Sequence, residues 1–332
     1  MLLNKILFPA PKPAHYTLTS HSENLFWLPP ESTNQLPIPC MFYSPDNLQR
    51  QTEYFMIFCH GNGCDIGTMQ YTLSEFAKHL NVYIISFEYP SYGLCEASSP
   101  NQQTINNHAD RTINFVCNTL QWPIERIIVF GHSIGSGSAC YLASNKPIGA
   151  LILQSPYTAI NNLVKEKVGF LSLFVSGRSW NNLEAMKDIK CPILFIHGSD
   201  DTLIPPSHSQ ILYNACSHID AKKIIILRYE DHNSMSEITL LKYVKPFVEK
   251  QCTVTNTNIH LPIVKIDEEL RQLPESLPNN NRTTTTTTSS SSSSGSGVLN
   301  SLYAIARAST TATVSSIQKV SGKKNDSSNE NQ

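Results

Sequence analysis

Three residues of this chain have the types and the order needed for nucleophilic attack on an acyl carbonyl. Ser133 lies in Gly131-His132-Ser133-Ile134-Gly135, Asp201 in His197-Gly198-Ser199-Asp200-Asp201, and His232 in Glu230-Asp231-His232-Asn233-Ser234. A serine hydroxyl attacks well only when a neutral imidazole takes its proton, and the imidazole needs an acid that fixes its tautomer and stabilises the cation formed. The Gly-x-Ser-x-Gly spacing suits a tight turn from a strand into a helix, with small residues on either side letting the two approach and pushing the hydroxyl outward. The backbone NH of Ile134, at the start of the following helix, would face the negative charge that develops on the carbonyl oxygen.

A second NH donor for that oxygen is expected from a loop after another central strand. His60-Gly61-Asn62-Gly63-Cys64 follows the apolar run Tyr54 to Cys59; Asn62 NH is the first choice and Gly63 the second, with an ordinary glycine-bearing turn as the plain alternative. For the acid, the form His-Gly-x-x-Asp followed by x-x-Ile-Pro selects Asp201 over its neighbour Asp200, which reads as a turn or cap carboxylate. His232 is the base because it falls on the last strand-to-helix loop, after the serine and the acid. His60, His132 and His197 sit in motif turns and read as structural hydrogen-bonders, and Asp231 as a loop residue. This chemistry needs neither metal nor organic cofactor, and no His/Asp/Cys spacing suggests a metal cage.

The elements that must carry these motifs are legible as apolar runs. Tyr54 to Cys59, Val82 to Phe87, Arg126 to Phe130, Ala150 to Leu153, Pro192 to Ile196 and Lys222 to Arg228 read as strands, separated by helix-compatible sequence or turns. Strands apolar throughout imply a sheet covered on both faces, hence an α/β, doubly wound, mostly parallel architecture whose ligands gather at the carboxyl ends of the strands. Tyr16 to Leu28 and Ile38 to Tyr43 are candidates for antiparallel leading strands. A helix is expected from about Ile66 to Leu80, another from Ser136 to Ala143, and a terminal one from about Met235 to Lys250. The short stretch Tyr157 to Lys190 leaves room only for a small cap; Val168, Phe170, Leu171, Leu173, Phe174, Val175 and Trp180 within it either line an acyl channel or pack on the sheet.

Composition bounds the rest. With 332 residues, 40% of them hydrophobic, the chain has material for a sizeable core. The balance of 25 Lys+Arg against 26 Asp+Glu, net charge −1, lacks the basic surplus that nucleic-acid binding calls for. No apolar run approaches the length of a membrane span, and Met1 to Phe8 stops at Pro9 short of a signal-peptide core. Nine Cys without a CxxC pair suggest a reducing compartment and no structural zinc, and so a cytoplasmic protein. Leu2, Leu3, Ile6, Leu7 and Phe8 either touch lipid peripherally or pack on the domain. After about residue 270 the composition turns to Asn, Thr283 to Thr288, Ser289 to Ser294 and Gly-Ser, which predicts a folded domain over 1–270 and a disordered tail over 271–332. Val298 to Ala306 is the one docking-helix candidate in that tail.

Taken together, HGNG, GHSIG, QSPYTAI, HGSDDTLIP and DHNS resemble the α/β-hydrolase-domain serine hydrolases, especially their protein depalmitoylase subgroup, over roughly residues 5 to 250. Lys5-Ile6-Leu7-Phe8-Pro9 through Tyr16-Thr17-Leu18 resembles that subgroup's proline-rich entry, and Phe87-Glu88-Tyr89-Pro90-Ser91-Tyr92-Gly93 its Tyr-Asp-Tyr-x-x-Tyr-Gly turn. The resemblance implies the α/β-hydrolase fold and a thioesterase that removes palmitoyl or similar acyl groups from cysteines of membrane-bound proteins, with Ser133, Asp201 and His232 on its triad positions. The chain departs from the subgroup in three places: its first Cys is Cys40, His132 precedes the nucleophile where Gln is common, and Glu230-Asp231 leads into the histidine in place of a glycine-containing approach. Three functions follow: an acyl-protein thioesterase, a lipid or small-ester carboxylesterase, and a non-catalytic binding protein on a hydrolase scaffold. The partners of the first two are an acylated protein or a lipid ester. Oligomeric state is not written in the sequence.

Overall fold

The apolar runs form an eight-stranded sheet in the computed structural model, which describes residues 8–46, 52–96, 99–162, 180–252 and 260–275. The strands are β1 (Leu25–Leu28), β2 (Ile38–Tyr43), β3 (Tyr54–Cys59), β4 (Val82–Phe87), β5 (Ile127–His132), β6 (Ala150–Gln154), β7 (Ile193–Gly198) and β8 (Lys222–Leu227), in spatial order β1-β2-β4-β3-β5-β6-β7-β8. β1, β2 and β4 pair antiparallel, and β3 to β8 run parallel.

The central strands read as unbroken apolar runs because both of their faces are covered. Phe55 and Ile57 of β3 and Ile127 and Val129 of β5 join one core; Met56, Phe58, Ile128 and Phe130 join the other. The first core takes side chains from α2 (Gln102–Asn114), α3 (Ser136–Asn145) and α5 (Ser207–Ala215), and α4 (Asn182–Ala185) packs against α3 and α5. The second takes them from α1 (Gln70–Leu80) and α6 (Glu237–Gln251). Burying one aliphatic side chain fully contributes roughly 1.5–3 kcal/mol, so these two layers dominate the stability.

Three elements differ from the sequence expectation, each for a local reason. α1 begins at Gln70 rather than Ile66, because Asp65 Oδ1 accepts from the Thr68 NH (2.9 Å) and hydroxyl (2.8 Å) and holds 65–68 as a turn. Within Tyr16 to Leu28 only Leu25–Leu28 is strand; Thr17 NH bonds Ser20 Oγ (2.8 Å) and Ser20 NH bonds Thr17 Oγ1 (3.1 Å), which closes a turn in place of a ladder. The expected terminal helix is not the last packed element: Leu261, Val264 and Ile266 are buried in the first core, and α7 (Glu268–Arg271) lies against β1, where Arg271 donates to Glu23 O (2.6 Å).

Phe8 packs edge-on against Trp180, ring centroids 6.2 Å apart, so it belongs to the domain rather than to lipid. Trp180 itself is buried and donates to Asn106 Oδ1 (2.9 Å). The other cap residues named above, Leu2, Leu3, Ile6, Leu7, and the sequence beyond 275, including Val298 to Ala306, lie outside the described residues. Among the described residues no helix is long and apolar enough to cross a membrane.

Candidate active site

The strand ends decide where the motif residues stand. Pairing carries β5 as far as His132, opposite Gln154, and β7 as far as Gly198, opposite Leu227. Ser133 therefore follows the sheet edge immediately, in a short 3-10 turn (Ser133–Gly135) that leads into α3. Its φ is +53°, in the left-handed region that a residue with a Cβ adopts at a cost of about 1–2 kcal/mol.

The two glycines of the motif do different jobs. A Cβ on Gly131 would lie 2.7 Å from the Ala139 Cβ, so this glycine lets α3 close on β5. A Cβ on Gly135 would run into the Cys59 carbonyl oxygen and lie 2.7 Å from the His60 carbonyl. Strand–helix approach, expected of both, holds for Gly131 with β5 and for Gly135, at the start of α3, with the end of β3. Gly135 lets the turn that carries Ser133 rest on the end of β3, which brings the His60-Gly61-Asn62-Gly63 loop beside Ser133.

Ser133, His232 and Asp201 stand in one line. Ser133 Oγ is 2.8 Å from His232 Nε2, and His232 Nδ1 is 2.6 Å from Asp201 Oδ2. All three are buried. A carboxylate can only accept, so Nδ1 carries the proton, and Nε2 is left with the lone pair that accepts the serine hydroxyl. Asp201 Oδ1 accepts from the backbone NH of Leu203 (2.9 Å) and Ile204 (2.8 Å). Burial pushes the Asp201 carboxyl up, but the bonds from His197 and His232, the His232 charge and the Ile204 NH outweigh it and hold it well below the usual carboxylate range.

The neighbouring candidates fall into place around this line. Asp200 accepts from Ser199 Oγ (2.6 Å), and Asp231 Oδ1 accepts from the NH of Asn233 (2.7 Å) and Ser234 (2.8 Å); both are turn carboxylates. His197 is more than a turn residue. Its Nδ1 pairs with Ser209 Oγ (2.6 Å) and its Nε2 with Ile204 O (2.8 Å), and the same Nε2 is 3.2 Å from Asp201 Oδ2. Asp201 therefore has two histidine partners, one of which, His197, reads from the sequence as a structural hydrogen-bonder of the motif turn. A strand-terminal histidine four residues before an aspartate is the signal that points to it.

His132 lies against His232, ring centroids 5.7 Å apart. Burial and the neighbouring His232 push its pKa down to about 3, so it remains neutral at working pH. Ile134, next to Ser133, is buried in the 3-10 turn. Asn62 accepts at its side-chain Oδ1 from Tyr92 Oη (2.7 Å), and Gly63 has φ +71°. His60 Nδ1 lies 3.0 Å from the Gly61 carbonyl.

Known proteins resemble this chain at several levels. The family model described as Serine hydrolase (FSH1) matches residues 86–232, the stretch that holds all three residues of the line. The alpha/beta hydrolase domain-containing protein aho-3 of Caenorhabditis elegans is 32% identical over 169 residues, 50% of this chain and 48% of that protein. Alpha/beta hydrolase domain-containing protein 17B of Homo sapiens is 30% identical over 183 residues, 54% of this chain and 60% of that protein. The chain thus spans about half the length of the worm relative. An esterase of Pyrococcus furiosus superposes with a TM-score of 0.59 at 15% identity, covering 74% of this chain and 99% of that one. The fold is the α/β-hydrolase fold, and the matches support an α/β-hydrolase serine hydrolase.

Proposed function

We propose that this chain is a serine hydrolase acting through an acyl-enzyme, and that its substrates are palmitoyl or similar acyl groups in thioester linkage to protein cysteines. The observation that carries the proposal is the unbroken line from Ser133 Oγ through His232 to Asp201, at 2.8 and 2.6 Å. In this reading His232 Nε2 takes the hydroxyl proton as Ser133 Oγ bonds the carbonyl carbon, and the charge that moves to the carbonyl oxygen meets the NH groups of Ile134 and Asn62. His232, now a cation held by Asp201, returns the proton to the leaving thiolate. Water then attacks the acyl-serine by the same route and releases the acid.

Support for the thioester comes from the motif resemblance, and the similarity to the domain-containing protein 17B supports the α/β-hydrolase domain beneath it. Such substrates sit on membrane-bound proteins, so the reading includes peripheral membrane contact by a cytoplasmic enzyme. It also includes a folded unit that ends before the Thr/Ser tract.

The test is hydrolysis of a palmitoylated cysteinyl peptide beside short- and long-chain p-nitrophenyl esters, using wild type and Ser133→Ala. Thioester turnover above ester turnover, abolished in the variant, is the expected result. Ester preference moves the protein to the carboxylesterases. Absent or variant-insensitive turnover in folded protein removes Ser133 as nucleophile and leaves a binding protein on a hydrolase scaffold.

A further inference from the structure

Glu88 is a carboxylate inside an apolar stretch, and its side chain is wholly buried. A buried charge persists only when it is paired and hydrogen-bonded. Tyr16 Oη donates to Glu88 Oε2 (2.9 Å), as does the Ile66 NH (3.3 Å), and the Tyr89 NH donates to Oε1 (3.2 Å). On the opposite side Oε1 is 3.1 Å from His60 Nε2, an ion-pair distance without the alignment of a hydrogen bond. The carboxylate thus ties the entry segment at Tyr16 and the chain at Ile66 to the first residue of the loop beside Ser133.

The two tyrosines that follow grip the same loop. Tyr89 stacks on the His60 ring, centroids 3.8 Å apart, and its hydroxyl donates to the His60 carbonyl (2.7 Å). Tyr92 donates to Asn62 Oδ1 (2.7 Å). Between them the chain turns tightly, Tyr92 NH bonding Tyr89 O (3.0 Å) with Ser91 at φ +65°, so both rings face one loop. Burial pushes both phenols up, Glu88 and other neighbouring groups adding to it, so they stay donors at any working pH.

A loop that offers a backbone NH to a developing oxyanion works only if its peptide planes are already fixed, since reorientation during the reaction would cost what the hydrogen bond contributes. The His60 carbonyl and the Asn62 side chain flank the planes in question. From this convergence we infer that Glu88, Tyr89 and Tyr92 are positioning residues for the oxyanion loop: they hold His60-Gly61-Asn62-Gly63 in the orientation that stabilises the tetrahedral intermediate at Ser133. The inference rests on the serine-hydrolase reading.

The test uses the full chain and counts active sites by labelling Ser133 with a fluorophosphonate. Removing an oxyanion donor costs about 10²–10³ in kcat, and misdirecting one costs less. Tyr92→Phe is therefore expected to lower kcat per labelled site about ten- to hundredfold on p-nitrophenyl butyrate, with KM within about twofold. Its affinity for butyraldehyde, which forms a tetrahedral adduct on the serine, should fall by the same factor. Tyr89→Phe and Glu88→Gln should move the same quantities in the same direction. A merely structural role would lower Tm and the number of labelled sites and leave kcat per site unchanged, and that outcome in Tyr92→Phe and Tyr89→Phe overturns the inference alone. Failure of the wild type to label at Ser133 overturns the hydrolase reading beneath it.

Discussion

Asp201→Asn isolates the tautomer of His232. Asp201 Oδ1 accepts two backbone NH groups, from Leu203 at 2.9 Å and Ile204 at 2.8 Å, while Oδ2 faces His232 Nδ1 at 2.6 Å. Asparagine must keep its carbonyl oxygen on the two NH groups, because turning its NH₂ toward them would leave both buried donors unpaired. Each unpaired donor costs about 1–3 kcal/mol, so the turned arrangement lies roughly 2–6 kcal/mol higher. With the oxygen so anchored, the NH₂ points at His232 Nδ1, which must accept. The imidazole proton then moves to Nε2, facing Ser133 Oγ at 2.8 Å, and the base is gone. At 1.36 kcal/mol per decade the loss is between about 30-fold and about 3 × 10⁴-fold in kcat/KM. The assay is p-nitrophenyl ester hydrolysis near pH 7.5, normalised to protein with an intact melting transition. Asp201→Ala makes no such demand on the tautomer and should retain more activity than Asp201→Asn. Asp201→Asn within tenfold of wild type, or Asp201→Ala no better than Asp201→Asn, would refute the tautomer argument.

Other outcomes follow from the same geometry. Ser133→Gly should be more stable than Ser133→Ala by about 1 kcal/mol in urea unfolding, because both lack the hydroxyl and only glycine relieves φ +53°. His132, pushed down to about 3 by burial and by His232, binds no proton in the fold at pH 5, whereas in the unfolded chain it titrates near 6.5. Its contribution is therefore complete above about pH 6.5 and is lost as pH falls toward 3; between pH 7.5 and 5 it amounts to about 2 kcal/mol by linkage. His132→Gln should remove that much of the acid destabilisation seen in chemical denaturation at the two pH values. A chain ended after residue 275 should melt with the full-length protein. One ended after 259 loses the buried Leu261, Val264 and Ile266, worth roughly 1.5–3 kcal/mol each, and should melt far lower or not fold.

Much of this molecule is readable from one dimension because central parallel strands are apolar on both faces, so Tyr54 to Cys59 and Val82 to Phe87 announce themselves to the residue. Local rules fail where a side chain competes for the backbone, as at Asp65, which shortens α1, and at Thr17 and Ser20, which replace the first half of an expected strand. The packed segment 260–271 is invisible to periodicity because most of it has no regular secondary structure and its anchors, Leu261, Val264 and Ile266, are spaced by three and then two residues, which fits no single period. In the site, the line through Ser133, His232 and Asp201 follows from motif order, and the grip of Tyr89 and Tyr92 on the His60 loop does not. That grip depends on β3 and β4 being neighbours in register, Phe58 opposite Ser86, which places the two strand-end loops side by side. The signal that was available is Glu88, a charge with no apparent reason to stand at the end of an apolar run.

The strand order also explains a feature of the base loop that no motif states. Ser133 follows β5 and His232 follows β8, three strand spacings apart, or roughly 14 Å. His232 can meet Ser133 only if the chain after β8 folds back across the ends of β7 and β6. It does so over Gly198: a Cβ there would strike the Glu230 carbonyl and lie 2.8 Å from the Asp231 carbonyl. The crossing is pinned by Ser199 NH to Leu227 O (2.8 Å) and by Asp200 NH to Glu230 O (2.9 Å). Tyr229, at φ +65°, makes the turn into it. The His-Gly pair that ends β7 thus serves the base as well as the acid, His197 bracing Asp201 and Gly198 giving the base loop its path. Asp201 and His232 are set by one strand end, which is why they share a line although thirty residues of chain separate them.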